Sequence, residues 1–163
     1  MSDTIFPPRG LFNRATTGLK TDPIFFDVEA GRISFFAETL GEDDPVYHDR
    51  DDARAAGHPD VPAPPTFPCV VDLETSRIAK RMGRTPIYDL IGCDYTRLLH
   101  GEETYEYFGP IYAGDRGSFT TEVVGFEDKK GGALETARLR AEIRHARRGL
   151  LVAIERVLVH RLN

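Results

Sequence analysis

The chain has 163 residues, of which 40% are hydrophobic and 29% are charged, as in an ordinary globular domain. This length is typical of a single domain with a sizeable apolar core. The formal net charge of −5 argues against a nucleic acid as partner. The two cysteines lack metal-ligand spacing, and no apolar run is long enough to span a membrane. We therefore expect a cytoplasmic protein that uses no cofactor or metal and does not bind a membrane.

Residues 1–23 form an N-terminal arm that contains several prolines and glycines. On its own such a segment would be poorly ordered. Residues 24–163 are expected to form one domain. The apolar residues that can attach the arm to this domain, or to a partner, are Ile5, Phe6, Leu11 and Phe12.

The next segment begins with residues 24–28, IFFDV, which predict a short strand. Residues 29–40 predict a helix with one buried face, because apolar side chains recur there at helical spacing. Asp27 is a plausible N-terminal cap for this helix. Residues 41–52 are acidic and contain glycine and proline, so they predict a loop. Residues 51–57 add one short helical turn.

Residues 61–82, VPAPPTFPCVVDLETSRIAKRM, predict the helix around which the chain is organised. The prolines favour an extended approach, and Thr66 stands where an N-cap is expected. Pro68 falls in the first turn, where a missing N–H group costs least. The first two turns are apolar nearly all round, which predicts a buried helix. The main apolar residues at helical spacing are Phe67, Val70, Val71, Leu73, Ile78 and Met82.

Four strands are predicted to follow, over residues 97–108, 117–126, 133–146 and 150–160. Residues 133–146 are rich in helix formers, but their apolar and charged side chains alternate strictly, which predicts a strand with one wet face. Residues 127–132, EDKKGG, predict a turn. The order of elements predicts an α+β meander in which the main helix lies on one face of an antiparallel sheet.

Three stretches, in this order, resemble one family. GEDDPVYHD is similar to the substrate loop of MaoC-like dehydratases and R-specific enoyl-CoA hydratases. PAPPTFP resembles the start of their central helix, and LLHGEETYEYFGPIYAGD resembles a strand and turn of the fatty-acid-synthase-type dehydratases. The small subunits of heterodimeric (3R)-hydroxyacyl-ACP dehydratases fit the same pattern. The resemblance implies a hot-dog fold, in which an antiparallel sheet wraps around one long helix. It also implies a homodimer, or a heterodimer with another hot-dog protein, that forms a continuous sheet.

The resemblance also implies a hydro-lyase that interconverts (3R)-3-hydroxyacyl and trans-2-enoyl thioesters of CoA or acyl-carrier protein. In the family, one Asp and one His hold the water, and a backbone N–H at the helix start polarises the thioester oxygen. These roles fall on Asp43 as base and His48 as proton donor, with the amides of Thr66 and Phe67 as oxyanion donors. His100 is a further candidate for substrate binding, because a ligand can approach closely beside a strand glycine.

The position of the loop proline differs from the family pattern. In the hydratases the proline lies three residues after the Asp, whereas Pro45 lies two residues after Asp43. Aligned on Pro45, the family's Asp falls on Glu42 and its His falls on Tyr47. Tyr47 therefore stays beside His48 as a candidate side chain at the substrate.

Two other functions remain open. The chain can be a non-catalytic subunit that binds the acyl group or a partner while a second chain supplies acid and base. It can also be an acyl-CoA thioesterase, for which Glu74 on the central helix is the candidate acid.

Overall fold

The computed structural model describes residues 10–162, so Ile5 and Phe6 lie outside the described part. The five strands are β1 (Ile24–Asp27), β2 (Leu98–Tyr107), β3 (Arg116–Lys129), β4 (Leu134–His145) and β5 (Gly149–Arg161). The four α-helices found in that range are α1 (Ala30–Leu40), α2 (Arg50–Ala55), α3 (Pro68–Arg81) and α4 (Ile87–Leu90). None of the helices between residues 10 and 162 has both the length and the apolar character needed to cross a membrane.

The strands form one antiparallel sheet in the order β1-β3-β4-β5-β2. The predicted α+β class is confirmed, but the simple meander is wrong, because β2 pairs with β5 at the far edge of the sheet. The reason lies in the connection between β2 and β3. This connection does not turn back tightly but pairs with the extended segment that precedes α3. The N–H of Ala63 donates to the carbonyl of Ile111, and the N–H of Ala113 donates to the carbonyl of Val61.

Helix α3 packs on the inner face of the sheet through Phe67 and Val71, which join a cluster that includes Phe119 and Ile154. The opposite side of the helix is open. Leu73 is 69% exposed, so the prediction of a helix buried nearly all round is wrong for this side. The sheet therefore covers only one face of α3, and Leu73 on the other face is left exposed.

Both predicted helix caps are wrong. Phe67, and not Thr66, occupies the N-cap of α3, and it makes no side-chain cap hydrogen bond. The chain already turns before the helix, because the N–H of Phe67 donates to the carbonyl of Pro64 at 2.9 Å, so Thr66 lies one residue too early. At α1, Glu29 is the N-cap residue, and Asp27 remains at the end of β1.

The strand predicted from strict alternation over residues 133–146 is confirmed as β4, where buried and more exposed residues alternate. The prediction that the turn starts at residue 127 is wrong. Strand β3 continues to Lys129, and a short 3₁₀ turn at Lys130–Gly132 then leads into β4. Lys130 and Gly131 both have positive φ there, so the reversal is tighter than the composition alone predicted.

The described part of the arm is attached to the sheet by a buried carboxylate. Glu135 of β4 accepts hydrogen bonds from the backbone N–H groups of Leu11 and Phe12 and from Nδ1 of His160. The ring of Phe12 stacks on His160 with 3.8 Å between centroids. Nε2 of His160 accepts from the N–H of Asp94 at 3.0 Å, which fixes the neutral tautomer with its proton on Nδ1. The arm therefore packs onto the end of the sheet.

Candidate active site

The acidic loop after α1 is organised largely by its own side chains. Helix α1 ends at Gly41, which has a φ of 72°, and the next N–H, from Glu42, donates back to a carbonyl of the helix. The carboxylate of Asp44 accepts from the N–H of Val46 and starts a 3₁₀ turn. The carboxylate of Asp49 accepts from two N–H groups in the first turn of α2. Two of the loop acids are thus structural caps.

Both ring nitrogens of His48 have partners within the chain. Nε2 lies 2.8 Å from the backbone carbonyl of Glu42, and Nδ1 lies 2.8 Å from the hydroxyl of Ser34 on α1. Because a carbonyl oxygen can only accept, Nε2 must carry a proton. In the neutral ring Nδ1 then accepts from the Ser34 hydroxyl. These two bonds close the loop onto α1.

The other two loop candidates have different surroundings. Asp43 is exposed, and its carboxylate has no hydrogen-bond or ion-pair partner within residues 10–162. Tyr47 is partly buried. Burial raises the pKa of the Tyr47 phenol, and the nearby carboxylates of Glu42 and Asp44 raise it further. The phenol therefore stays protonated at neutral pH.

At the start of α3, one of the two predicted oxyanion donors is already used. The N–H of Phe67 donates to Pro64, as described above, whereas the N–H of the exposed Thr66 has no acceptor in the described part of the chain. The ring of Phe67 packs edge-on against Phe36 of α1, with 5.8 Å between centroids. Since α1 also holds His48 through Ser34, it connects the acidic loop with the start of α3.

His100 lies away from this loop, in a cavity of about 500 Å³ between α3 and the first residues of β2. We call this space the α3 cavity. Nε2 of His100 is 2.8 Å from Oε2 of Glu103, and the side chain is 53% exposed. Gly101 forms a β-bulge beside it, where a Cβ atom would come within 3.0 Å of the carbonyl of Val157. The glycine thus serves close packing between β2 and β5.

A buried charged network forms the inner wall of the α3 cavity. The guanidinium of Arg156 on β5 binds the carboxylates of Asp72 on α3 and Glu103 on β2, and it also contacts the hydroxyl of Tyr88. Tyr88 donates in turn to Asp72. Burial raises the pKa of Asp72, while Arg156 and Tyr88 oppose this shift. Burial and Asp72 also raise the pKa of Tyr88.

This network was missed in the sequence, although its signal was present. Arg156 is two residues after Ile154 and two before Leu158, so it lies on the same inward face of β5 as Val152, Ile154 and Leu158. Asp72 lies among the apolar residues of the first turns of α3. Charged residues at inward positions are almost never fully buried unless they are paired. An inward Arg and an inward Asp therefore indicate a buried ion pair.

Glu74, the candidate acid of a thioesterase, is held by arginines. It binds Arg77 on its own helix and Arg32 on α1, the latter at 2.7 Å. The hydrogen bonds from Arg77, followed by those from Arg32, lower the pKa of Glu74 against the opposing effect of burial. In the described residues, no cluster of three or more His, Cys, Asp or Glu side chains is arranged to hold a metal ion.

Residues 15–154 match the model of a protein family described as the FAS1-like dehydratase domain region. The chain belongs to this family. A UPF0336 protein of Streptomyces griseus is 36% identical over 113 residues, which are 69% of this chain and 71% of that protein. The resemblance of the sequence to the fatty-acid-synthase-type dehydratases is thereby confirmed.

Solved structures confirm the hot-dog fold. The (3R)-hydroxyacyl-ACP dehydratase complex HadBC from Mycobacterium tuberculosis superposes with a TM-score of 0.69 at 16% identity, over 88% of this chain and 96% of that chain. A MaoC-like dehydratase superposes with a TM-score of 0.71 at 19% identity, over 93% of this chain and 43% of that chain. At these identities the likeness concerns the fold.

Proposed function

We propose that this chain is the acyl-binding subunit of a heteromeric dehydratase, and that a second hot-dog chain supplies the acid and base. The reaction converts a (3R)-3-hydroxyacyl thioester into a trans-2-enoyl thioester. A base removes a proton from C2, the C3–O bond breaks, and an acid protonates the departing hydroxide to give water. Each step needs a side-chain atom that faces the substrate.

The observation that carries the proposal is the environment of His48. Its Nε2 proton is directed at the carbonyl of Glu42, and its Nδ1 faces the hydroxyl of Ser34. A general acid needs a proton directed at the substrate, and a general base needs an unoccupied lone pair. With both nitrogens engaged, His48 offers a substrate neither a free proton nor a free lone pair in this arrangement, and this supports the structural role that we propose for it.

The sheet edge supports the second part of the proposal. Strand β2 pairs only with β5 among the described strands, so its other edge has unpaired N–H and C=O groups. Leu99 and Phe108 are more than half exposed in this region, and Leu73 of α3 is exposed nearby. An open edge beside an uncovered apolar helix face favours a second sheet as partner. The HadBC dehydratase, which shares this fold, is itself a complex.

The test is to assemble the two chains and to replace the loop histidine of each chain in turn. The chain is co-expressed with hot-dog chains of the same genome that carry an Asp-x4-His loop, and the co-purified pair is assayed with a trans-2-enoyl-CoA. We expect hydration by the pair, loss of activity when the partner's loop histidine is replaced by alanine, and retention of activity in His48→Ala. Loss of activity in His48→Ala, with the pair still assembled, contradicts the proposal.

The interface is tested by charge substitution at the two sheet edges. Leu99→Glu places a charge at the β2 edge and should prevent co-purification. Phe25→Glu is the matched control, because Phe25 is 60% exposed on β1 at the opposite edge. Equal effects of the two substitutions would contradict assembly through β2.

A second candidate function is a self-sufficient hydratase with Asp43 as base and His48 as acid. It is favoured by two groups that are free within residues 10–162, the exposed carboxylate of Asp43 and the N–H of Thr66. It requires His48 to release Glu42 or Ser34 when substrate binds. This candidate predicts turnover by the chain alone that is lost in both Asp43→Asn and His48→Ala. A thioesterase is disfavoured, because the lowered pKa of Glu74 makes this carboxylate a weak base.

A further inference from the structure

Two clefts flank α3, and Asp72 lines both of them. One is the α3 cavity beside β2, and the other is a smaller space of about 220 Å³ on the opposite side of the helix. We call the smaller space the arm cleft, because residues 19–22 of the N-terminal arm form one of its walls. Both spaces are partly open to solvent, so a small molecule can enter either of them.

The carboxylate of Asp72 leaves one of its oxygens free. Asp72 is only 4% exposed, and Arg156 and Tyr88 both donate to its Oδ2. These two partners line the α3 cavity and not the arm cleft. Oδ1 accepts no hydrogen bond from any of residues 10–162. Because two donors hold Oδ2, the carboxylate is ionised and Oδ1 can only accept. A buried acceptor therefore remains on the side of the arm cleft.

The walls around this acceptor are mainly apolar. Ile24 of β1, Ile87 of α4 and Phe119 of β3 line the arm cleft, and all three are buried. Ser76, one helical turn after Asp72, adds a hydroxyl to the lining. A cavity of roughly 150 Å³ is large enough to bind benzene. The arm cleft thus has room for a ring that carries a short polar substituent.

The charges near the acceptor favour a cation over an anion. Asp72 and Glu103 share the single guanidinium of Arg156, so buried carboxylates outnumber the buried cation in this network. The charged side chains at the mouth of the cleft are exposed and of both signs, and they are Lys20, Asp22 and Arg84. Water and salt screen such exposed charges, so the buried carboxylate determines the preference.

We infer that the arm cleft is a binding site for a small apolar molecule that carries a protonated primary amine. The ammonium group donates to Oδ1 of Asp72, and the apolar body packs against Ile24, Ile87 and Phe119. A carboxylate in the same place would face Oδ1 as a like charge. This site lies on the other side of α3 from the α3 cavity, and the inference does not depend on the proposed function.

The test titrates the full chain with benzylamine and follows its backbone amides by NMR. Toluene is the matched probe without a donor, and benzoate is the matched anion. We expect saturable shifts at Ile87 and Phe119, which line the arm cleft and not the α3 cavity. Toluene should bind about tenfold more weakly than benzylamine, as expected for the loss of one hydrogen bond to a charged group. Benzoate should produce no saturable shift at these amides.

Three substitutions locate the site. Ala79→Leu fills the arm cleft, because Ala79 is buried there and does not line the α3 cavity, and it should abolish the benzylamine shifts. Leu73→Ala is the matched control in the α3 cavity and should leave them unchanged. Asp72→Asn removes the charge at nearly constant size and leaves Glu103 as a partner of Arg156. It should weaken benzylamine binding to the level of toluene.

Several results with the wild-type chain alone would overturn the inference, so it is testable even if Asp72→Asn does not fold. Shifts at Leu98 and His100 in place of Ile87 and Phe119 would assign the amine to the α3 cavity. Equal affinities for benzylamine and toluene would remove the role of Asp72. Binding of benzoate as tight as that of benzylamine, or no saturable shift with benzylamine, would also contradict the site.

Discussion

The hydroxyl of Ser34 on α1 lies 2.8 Å from Nδ1 of His48 on the acidic loop. Together with the bond from Nε2 to the carbonyl of Glu42, this contact fixes both nitrogens of the ring. The sequence feature that most resembles a catalytic histidine is therefore part of the structure of the loop. The proposed division of labour between two subunits depends on this relationship.

Removing the Ser34 hydroxyl should loosen the loop and leave assembly unaffected. Ser34→Ala is expected to reduce the free energy of unfolding by about 1 kcal/mol, the usual contribution of one hydrogen bond. In the wild type, nitrogen NMR should find the neutral ring of His48 with its proton on Nε2. A neutral ring that carries its proton on Nδ1 would contradict the bond to Glu42.

The buried pair of Asp72 and Arg156 should show strong coupling. Arg156→Leu leaves the carboxylates of Asp72 and Glu103 without the guanidinium and is expected to cost about 3–5 kcal/mol of unfolding free energy. Asp72→Ala should cost less, because Arg156 keeps Glu103 as its partner. The double variant should cost less than the sum of the two single changes. Urea denaturation of the wild type, the two single variants and the double variant completes a double-mutant cycle. Additive costs would mean that the two charges are not coupled.

The described part of the arm should detach when its buried acceptor is removed. Glu135→Leu leaves the N–H groups of Leu11 and Phe12 without an acceptor, at a cost of about 1–3 kcal/mol for the buried N–H of Phe12 and less for the part-buried N–H of Leu11. Hydrogen exchange at these two amides should become faster. Glu135→Gln retains a side-chain oxygen and should keep most of the protection. Equal exchange rates in wild type and Glu135→Leu would contradict the attachment.

Glu74 should make stability depend on pH in the acid range. Its pKa is lowered in the folded chain below the ordinary value of 4.5, because Arg77 and Arg32 bind the carboxylate. The unfolded chain therefore takes up the proton first as the pH falls. The contribution of Glu74, at most about 1 kcal/mol for so exposed a set of partners, is present above pH 4.5 and is lost as the pH falls through the lowered pKa.

Thermal unfolding between pH 7 and pH 3 measures this effect. Wild type should lose more stability over that range than Glu74→Gln. Glu38→Gln is the control, because Glu38 is exposed on α1 and makes no ion pair within residues 10–162. A pH dependence in Glu74→Gln that matches wild type would contradict the stabilising role of the arginines.

The sequence predicted the parts of the fold that depend on local pattern. The alternation of Ala137, Leu139, Ala141 and Ile143 with charged residues identified β4 in spite of its helix-forming composition. Strand pairing is a long-range property, however, and the local pattern of residues 97–108 does not predict that β2 pairs with β5. The single-residue shift of the α3 cap had a similar cause, since it depends on how the chain turns before Pro68.

The candidate site was predictable only as a set of residue types. The acidic loop and the helix start are visible in the sequence, but the partner of His48 is Ser34 on α1, fourteen residues earlier in the chain. Asp72 and Arg156 lie 84 residues apart, and only the folded sheet brings them together. Spacing within a motif cannot reveal whether a side chain is already bound elsewhere in the chain.

The most direct test of the proposed function is hydration of trans-2-butenoyl-CoA by the chain purified alone. The loss of enoyl-thioester absorbance is followed for the wild type and for His48→Ala, after circular dichroism has confirmed that both are folded. The proposal predicts no turnover above background by either protein. Turnover by the wild type that disappears in His48→Ala would contradict it and would assign the acid–base chemistry to this chain.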